Sequence, residues 1–291
     1  MRRVTDKHEP LLGGCRVVCG ESGDLPCLQH LARYEFAAQH VRGKRVLDVA
    51  CGTGYGSRLL AASGADSVVG LDISSEAIGY ATEHYRAGNL SFRLGDAEHI
   101  GLDHGAVDVV VSFETIEHLA RPEQYLAEVS RVMTAKGLFL LSTPNRRFAS
   151  PWRPLRSPVN PFHAQEWLPE EFYPLLGSRF RHVKKWGQIR IANRTRQVWE
   201  TWCRQRLNRW VVGPAYRMLQ GTGWEAAGRK AYRRFCGADK DRFGDVPTGT
   251  AASMPENQRA HFRVAPAGEG EEFLVLLAVC SQSEDRGARR V

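Results

Sequence analysis

The sequence lacks several features that mark particular classes of protein. Its 291 residues contain no internal repeat and no apolar run of the ~18–20 residues that a membrane-spanning helix needs. The seven cysteines form no C-x-x-C pair and show no zinc-like spacing, so we expect free thiols in a reducing compartment. The basic first residues lead into no apolar stretch, so we expect no signal peptide and a cytoplasmic protein.

Basic residues are in excess, with 40 Lys and Arg against 32 Asp and Glu and a formal net charge of +8. Such a charge permits anionic partners, which include phosphates, nucleic acid and an acidic membrane surface. However, no RNA-binding module or base-stacking motif is recognisable, so we do not expect nucleic acid as the partner.

Residues 46–57 organise the interpretation of the whole chain. An apolar, β-branched run typical of a buried parallel strand leads into glycines at positions 52, 54 and 56, and an apolar helical pattern follows. A strand, a glycine-rich turn and a helix open many nucleotide-binding α/β domains. A dinucleotide fingerprint would place its third glycine at position 57, which is Ser57 here.

Strand and helix patterns alternate along most of the chain, which indicates an α/β fold. We predict a Rossmann-like, seven-stranded, mostly parallel sheet with an antiparallel last strand and helices on both faces. The predicted strands cover residues 46–49, 68–74, 90–97, 107–113, 137–143, 181–186 and 272–280. Two of them end in an acid, Asp72 and Asp96, although acids are also common in the turns after strands.

The composition divides the chain into four parts. We predict an N-terminal arm at 1–27, a core at 28–189, a basic and partly helical insertion at 190–270 between strands six and seven, and the final strand with a basic tail at 271–291. Within the insertion, residues 198–211 form an amphipathic pattern with tryptophans on one face, and residues 245–270 are predicted to be mobile.

The segment 46–57 resembles motif I of the class I S-adenosylmethionine-dependent methyltransferases. That motif has an acid, here Asp48, followed by Gly-x-Gly-x-Gly. The resemblance implies that Asp72 accepts hydrogen bonds from the ribose hydroxyls and that Asp96 faces the adenine amino group. It implies a cofactor-binding set of Tyr34, Asp48, Ala50, Gly52, Gly54, Tyr55, Asp72, Ile73, Asp96, Ala97 and Phe113.

A narrower resemblance points to bacterial methyltransferases of sugar and polysaccharide gene clusters. It is carried by residues 30–38, 43–57, 113–119, 142–146 and 160–166, with a departure at Thr53, where many relatives have Glu. It implies O-methylation of a hydroxylated small molecule, a sugar that is free, nucleotide-linked or lipid-linked. The basic residues 195–237 have no match in that family and could dock the protein on an anionic membrane or pack as a cap.

Three residues are candidates for catalysis because they follow strands at the edge where open α/β sheets bind substrates. His118 is our candidate general base, since its ordinary pKa lies near neutral pH. Glu114 would orient His118 or touch the acceptor, and His163 would be a second base or a substrate ligand. The alternatives are a helix-start role for His118 and a hydrogen-bonded loop role for His163.

Glu114, Glu117, His118 and His163 together form a possible divalent-metal set. Their pattern is similar to the magnesium site of small-RNA 3′-terminal 2′-O-methyltransferases, which carry a denser His/Asp cluster after the Thr-Pro-Asn segment. This leaves two alternatives to a sugar O-methyltransferase. One is an RNA 2′-O-methyltransferase, and the other is a membrane-docked methyltransferase of a lipid-linked saccharide.

Overall fold

The computed structural model of the protein describes residues 25–149, 158, 160, 162–190, 262–267 and 273–283. The helices are α1 Leu25–Ala38, α2 Tyr55–Ala62, α3 Ser75–His84, α4 Pro122–Val132, α5 Arg146–Ala149 and α6 Pro169–Gly177, with a short 3-10 turn at Ile116–His118. The strands are β1 Arg45–Val49, β2 Ser67–Asp72, β3 Leu90–Leu94, β4 Val107–Phe113, β5 Met133–Pro144, β6 His182–Arg190, β7 Phe262–Pro266 and β8 Val275–Ser281.

The strands form one sheet in the order β3-β2-β1-β4-β5-β8-β6-β7. The first five are mutually parallel, and β8 lies antiparallel between β5 and β6. The predicted fold class is therefore confirmed. The sheet order reverses at β1 and β4, and ligands of open α/β sheets bind at the carboxyl ends of the strands beside such a reversal.

Most residues of the central strands are apolar because each face of the sheet is covered. In β4, Val110 packs with the core on the side of α4 and α6, whereas Val109 and Val111 pack with the core on the side of α1 and α2. Successive residues of a strand point to opposite faces, so a strand buried on both sides needs apolar residues at every position.

The sheet has eight strands where the sequence predicts seven. The additional strand, β7, pairs antiparallel with the last residues of β6. It lies inside residues 245–270, which are predicted to be mobile, and that prediction is wrong for Phe262–Pro266. A five-residue strand among Gly, Pro and Ala gives too short an alternation to be recognised before its pairing partner is known.

Two further boundaries and assignments differ from the predictions. Helix α1 begins at Leu25, inside the predicted arm, because Pro26 fits a first helical turn, where its missing N–H needs no partner.

The prediction of free thiols is wrong for Cys27, which is disulfide-bonded, while Cys51 and Cys280 are free and buried. Disulfide formation depends on Cα atoms meeting within about 4.4–6.8 Å, which sequence spacing does not reveal.

The predictions for residues 1–24 and for the basic segment 195–237 lie outside the described residues. Within the described ranges, none of the helices combines the length and apolar character needed to cross a membrane.

Gly187 in β6 packs so closely against Phe273 that there is no room for a side chain at this position. A Cβ at this position would overlap the buried ring of Phe273. We expect Gly187→Ala to lower the free energy of unfolding by about 1–3 kcal/mol through overpacking, measured by urea denaturation. Gly79→Ala is the matched control, because a Cβ on this exposed residue of α3 meets nothing within 4 Å. The control should stabilise by about 0.5–1 kcal/mol, and equal effects of both variants would contradict the prediction.

Candidate active site

A cavity of about 350 Å³ opens at the carboxyl ends of the central strands. Its size falls within the range of about 300–1,000 Å³ that is usual for small-ligand sites. Predicted residues that line it are Tyr34, Ala50, Gly52, Tyr55, Asp72, Ile73, Asp96, Ala97, Phe113, Glu114 and His118. Residues that sequence reasoning missed are His30, Cys51, Leu71, Gly95, Thr115, Leu119 and Phe162. Most of the missed residues adjoin a predicted one in the chain.

The three glycines of the loop after β1 serve two different purposes. Gly52 and Gly54 have φ angles of 56° and 86°, in the left-handed region that a side chain disfavours. Gly56 instead permits a close approach, because a Cβ there would overlap the ring of Tyr34 from α1. The third glycine is therefore required by the packing of α1 against the start of α2.

Asp48 is fully buried and does not line the cavity. Its carboxyl accepts hydrogen bonds from the Ser57 hydroxyl at 2.6 Å and from the Tyr34 hydroxyl at 3.1 Å. Burial raises the pKa of Asp48 to about 7, which these hydrogen bonds partly oppose. In the structure, this predicted cofactor residue joins β1, α1 and α2 behind the cavity wall. Gly54 is also absent from the cavity lining, and a Cβ there would overlap Ala81 and Phe92.

The raised pKa of Asp48 gives the protein a specific pH dependence. Between pH 3.8 and about 7, the folded protein holds a proton at Asp48 that the unfolded chain has lost. The contribution of Asp48 to the free energy of unfolding is therefore largest at low pH. It falls as the pH rises through this window, by at most roughly 4 kcal/mol.

We expect Asp48→Asn to remove this loss, so that the difference in unfolding free energy between wild type and variant changes steadily from pH 4 to pH 8. Urea denaturation across this range measures the difference. Asp66→Asn, at an exposed acid just before β2, is the control and should keep the wild-type slope. A slope for Asp48→Asn that matches wild type would contradict the assignment.

Asp72 and Ile73 form the wall of the cavity where β2 ends. The Asp72 carboxylate accepts the Gly52 N–H and the Ser74 N–H, both at 2.9 Å, so its position is fixed. Ile73 follows it with 70% of its surface exposed, although it is a large apolar residue. Asp96 lines the cavity farther along and accepts the Glu98 N–H at 2.8 Å. A fixed carboxylate beside an exposed apolar side chain suits a ribose attached to a base.

Glu114 lies where β4 ends, with a φ of 55° that is unusual for a residue other than glycine. Its Oε1 accepts the Ser142 hydroxyl at 2.9 Å and lies 3.9 Å from Nη2 of Arg33. Arg33 is fully buried in α1 and donates from Nη1 to Gln188 Oε1 at 2.7 Å. The sequence does not reveal this buried cation, because nothing in residues 30–38 distinguishes an inward Arg33 from a solvated one.

His118 lines the cavity, and one of its two ring nitrogens is fixed by a hydrogen bond. Its Nδ1 lies 2.8 Å from the carbonyl oxygen of Phe162. Because a carbonyl only accepts, Nδ1 carries the hydrogen and Nε2 keeps a lone pair. Burial lowers the pKa of His118, with a further contribution from His163, so the neutral imidazole is favoured.

His163 and Glu117 lie beside His118, outside the residues that line the cavity. The two histidine rings meet edge to face with centroids 4.9 Å apart. Nδ1 of His163 lies 2.6 Å from Glu166 Oε1. Glu117 is fully buried and accepts the Thr143 hydroxyl at 3.0 Å, and burial raises its pKa. The structure thus brings together Glu117, His118 and His163, and it places Glu114 in a different hydrogen-bonded group.

Comparison with known proteins decides the family. A family model described as a methyltransferase domain matches residues 40–204, which is more than half of the chain. The chain belongs to this methyltransferase family. It is an enzyme domain with the Rossmann-like methyltransferase fold, and its cofactor is S-adenosylmethionine.

Relatives of the methyltransferase domain match only part of their own length. A Mycolicibacterium smegmatis protein named "Probable S-adenosylmethionine-dependent methyltransferase" is 38% identical over 148 residues, 51% of this chain and 56% of that protein. A ubiquinone biosynthesis O-methyltransferase of Rhizobium etli is 34% identical over 49% of this chain and 57% of its own. The chain thus spans somewhat over half the length of the curated relatives that it matches. The solved structure of the cyclase SpnF has a TM-score of 0.53 at 17% identity, covering 87% of this chain and 81% of that one, which shows a shared fold alone.

The cavity of the methyltransferase domain has groups that fit S-adenosylmethionine. The fixed Asp72 carboxylate can accept both ribose hydroxyls, and the exposed Ile73 offers an apolar surface to the adenine. Gly52 leaves the loop backbone open, because a Cβ there would meet nothing within 4 Å on the protein side. These residues would hold the nucleoside, while Glu114 and His118 line another part of the same cavity.

Proposed function

We propose that this domain transfers a methyl group to a hydroxyl of a sugar or another small hydroxylated metabolite. The observation that carries the proposal is the lone pair on His118 Nε2, in a neutral imidazole held at the wall of the cofactor cavity. Transfer to an alcohol oxygen requires removal of a proton, and a positioned base accelerates such steps by roughly 10²–10⁴-fold. The Rhizobium etli relative, named as an O-methyltransferase, supports oxygen as the methylated atom.

Several residues of this chain would have separate roles in methyl transfer by in-line displacement. S-adenosylmethionine, when bound, supplies a methyl group activated by the sulfonium. His118 takes the proton from the acceptor hydroxyl at Nε2 as the new oxygen–carbon bond forms and the carbon–sulfur bond breaks. Glu114 accepts a hydrogen bond from the acceptor, and Ser142 and Arg33 keep its carboxylate in place. Positioning of this kind can contribute about 7–11 kcal/mol to the reduction of a barrier.

Transfer of labelled methyl groups tests the proposal directly. The purified protein is incubated with methyl-labelled S-adenosylmethionine and a cell extract, which is then separated into saccharides, nucleotide sugars, lipids and RNA. We expect label in a saccharide, a nucleotide sugar or a lipid-linked saccharide, in a bond that resists mild base as an ether does. Label in RNA would replace the proposal with an RNA 2′-O-methyltransferase. Label in the lipid fraction would favour a membrane-docked enzyme that uses residues 195–237.

A further inference from the structure

We propose that Glu117, His118 and His163 bind one divalent transition-metal ion at the acceptor end of the cavity, and that Glu114 is not a ligand. One potential ligand atom from each of the three residues lies within 4.8 Å of the others. They come from two separate segments, the turn after β4 and the loop before α6. Glu114 is held elsewhere by Ser142 and Arg33, which separates it from this group.

The Glu117 carboxyl group has a buried oxygen without a hydrogen bond. It has no solvent exposure, and its Oε1 is buried without a hydrogen bond, while Oε2 is bonded to Thr143. A buried carboxylate oxygen left without a partner is strongly unfavourable, and a bound cation removes that penalty. Glu117 belongs to the same three-residue cluster as the two imidazoles.

The surroundings of both histidines are those that orient metal ligands. Histidines that bind metals usually donate their second ring N–H to a carbonyl or a carboxylate. His118 has the Phe162 carbonyl at Nδ1, and His163 has the Glu166 carboxylate at Nδ1. His163 Nε2 lies 2.8 Å from the Asn160 amide nitrogen, a hydrogen bond that metal binding at Nε2 would replace.

The donor set indicates which ion would bind. Two imidazoles and one carboxylate suit Zn²⁺, Co²⁺, Mn²⁺ or Fe²⁺, whereas Mg²⁺ and Ca²⁺ prefer oxygen ligands throughout. Three protein ligands leave coordination positions open, as in catalytic rather than structural sites. Because His118 lines the cavity, the open positions would be available to oxygen atoms of the acceptor.

This inference rests on the proposed function for its role, because a metal ion beside the acceptor would lower the pKa of the hydroxyl to be methylated. In the metal-free protein, His118 would promote ionisation of the acceptor hydroxyl as a base. In the metal-loaded protein, His118 would be a ligand, and the metal would promote that ionisation instead. Methyl transfer by chelator-treated protein, measured before and after the metal is restored, distinguishes these roles.

Metal binding is tested without reference to activity. The full-length protein is stripped with a chelator, dialysed and titrated with Co²⁺, whose visible absorption reports coordination by nitrogen and oxygen ligands. Metal analysis after loading with Zn²⁺ or Mn²⁺ gives the stoichiometry. We expect one ion per chain, and at least a tenfold loss of affinity in Glu117→Gln and in His163→Ala.

Two control variants decide which residues take part. Glu114→Gln should bind Co²⁺ like wild type, because Glu114 lies outside the cluster, and so should His99→Ala, which removes an exposed histidine. Unchanged affinity for S-adenosylmethionine in Glu117→Gln shows that this near-isosteric variant is folded. Absence of stoichiometric binding in wild type, or equal losses in Glu114→Gln and Glu117→Gln, would overturn the proposal. Metal binding without methylation of any saccharide or other small hydroxylated metabolite would refute the proposed function and leave the metal site standing.

Discussion

Replacing Asp72 by alanine is expected to weaken the binding of S-adenosylmethionine by at least roughly 100-fold. The substitution removes an acceptor for the ribose hydroxyls, and each hydrogen bond to a charged group contributes about 1.5–3 kcal/mol. It also frees the Gly52 and Ser74 N–H groups, both bonded at 2.9 Å, so the loop after β1 loses its link to the end of β2. Isothermal titration calorimetry measures the dissociation constant.

Two variants separate these contributions. Asp72→Asn keeps a carbonyl oxygen that can accept one of the two backbone N–H groups, so it should retain more affinity than alanine. Asp66→Ala removes an exposed acid just before β2 and should leave the affinity unchanged. Binding by Asp72→Ala within about threefold of wild type would place the nucleoside elsewhere in the cavity.

Replacing His118 by alanine is expected to lower kcat by roughly 10²–10⁴-fold while the affinity for S-adenosylmethionine stays within about threefold. The reason is that His118 lines the part of the cavity proposed for the acceptor, whereas Asp72 and Ile73 form the wall proposed for the nucleoside. The same loss is expected whether His118 takes the proton itself or binds a metal that promotes ionisation.

The assay for His118→Ala is single-turnover methyl transfer to the acceptor identified by labelling, with calorimetry for the cofactor. His99→Ala is the matched control, since this histidine is exposed and is not among the residues that line the cavity. Full activity in His118→Ala would remove His118 from the chemistry. A parallel loss of cofactor affinity would show that His118 supports the cavity as a whole.

The sequence was sufficient to predict those parts of the fold that depend on local patterns. Predominantly apolar runs indicated the central strands, and the acids Asp72 and Asp96 lie in the cavity wall as their places at the end of β2 and shortly after β3 imply. The short strand β7 was missed because its identity depends on pairing with β6, which is distant in the chain.

Burial and side-chain direction were the features that the sequence could not supply. Asp48 stands in the expected motif, yet its carboxyl is directed to Ser57 and Tyr34 behind the cavity wall. Arg33 is buried under Glu114, although arginine is usually exposed. The four-residue metal hypothesis grouped Glu114 with Glu117 by spacing, whereas in the structure Glu114 accepts the Ser142 hydroxyl and Glu117 accepts the Thr143 hydroxyl.

The position of β8 in the sheet determines when the sheet can be completed during synthesis of the chain. This strand lies between β5 and β6 but is translated after both of them. At about 5–20 residues per second, synthesis from the end of β5 to the end of β8 lasts on the order of ten seconds. During that interval, one edge of β5 has no paired strand, and an unpaired edge favours incorrect pairing with other strands. The sheet is complete only after β8 has left the ribosome.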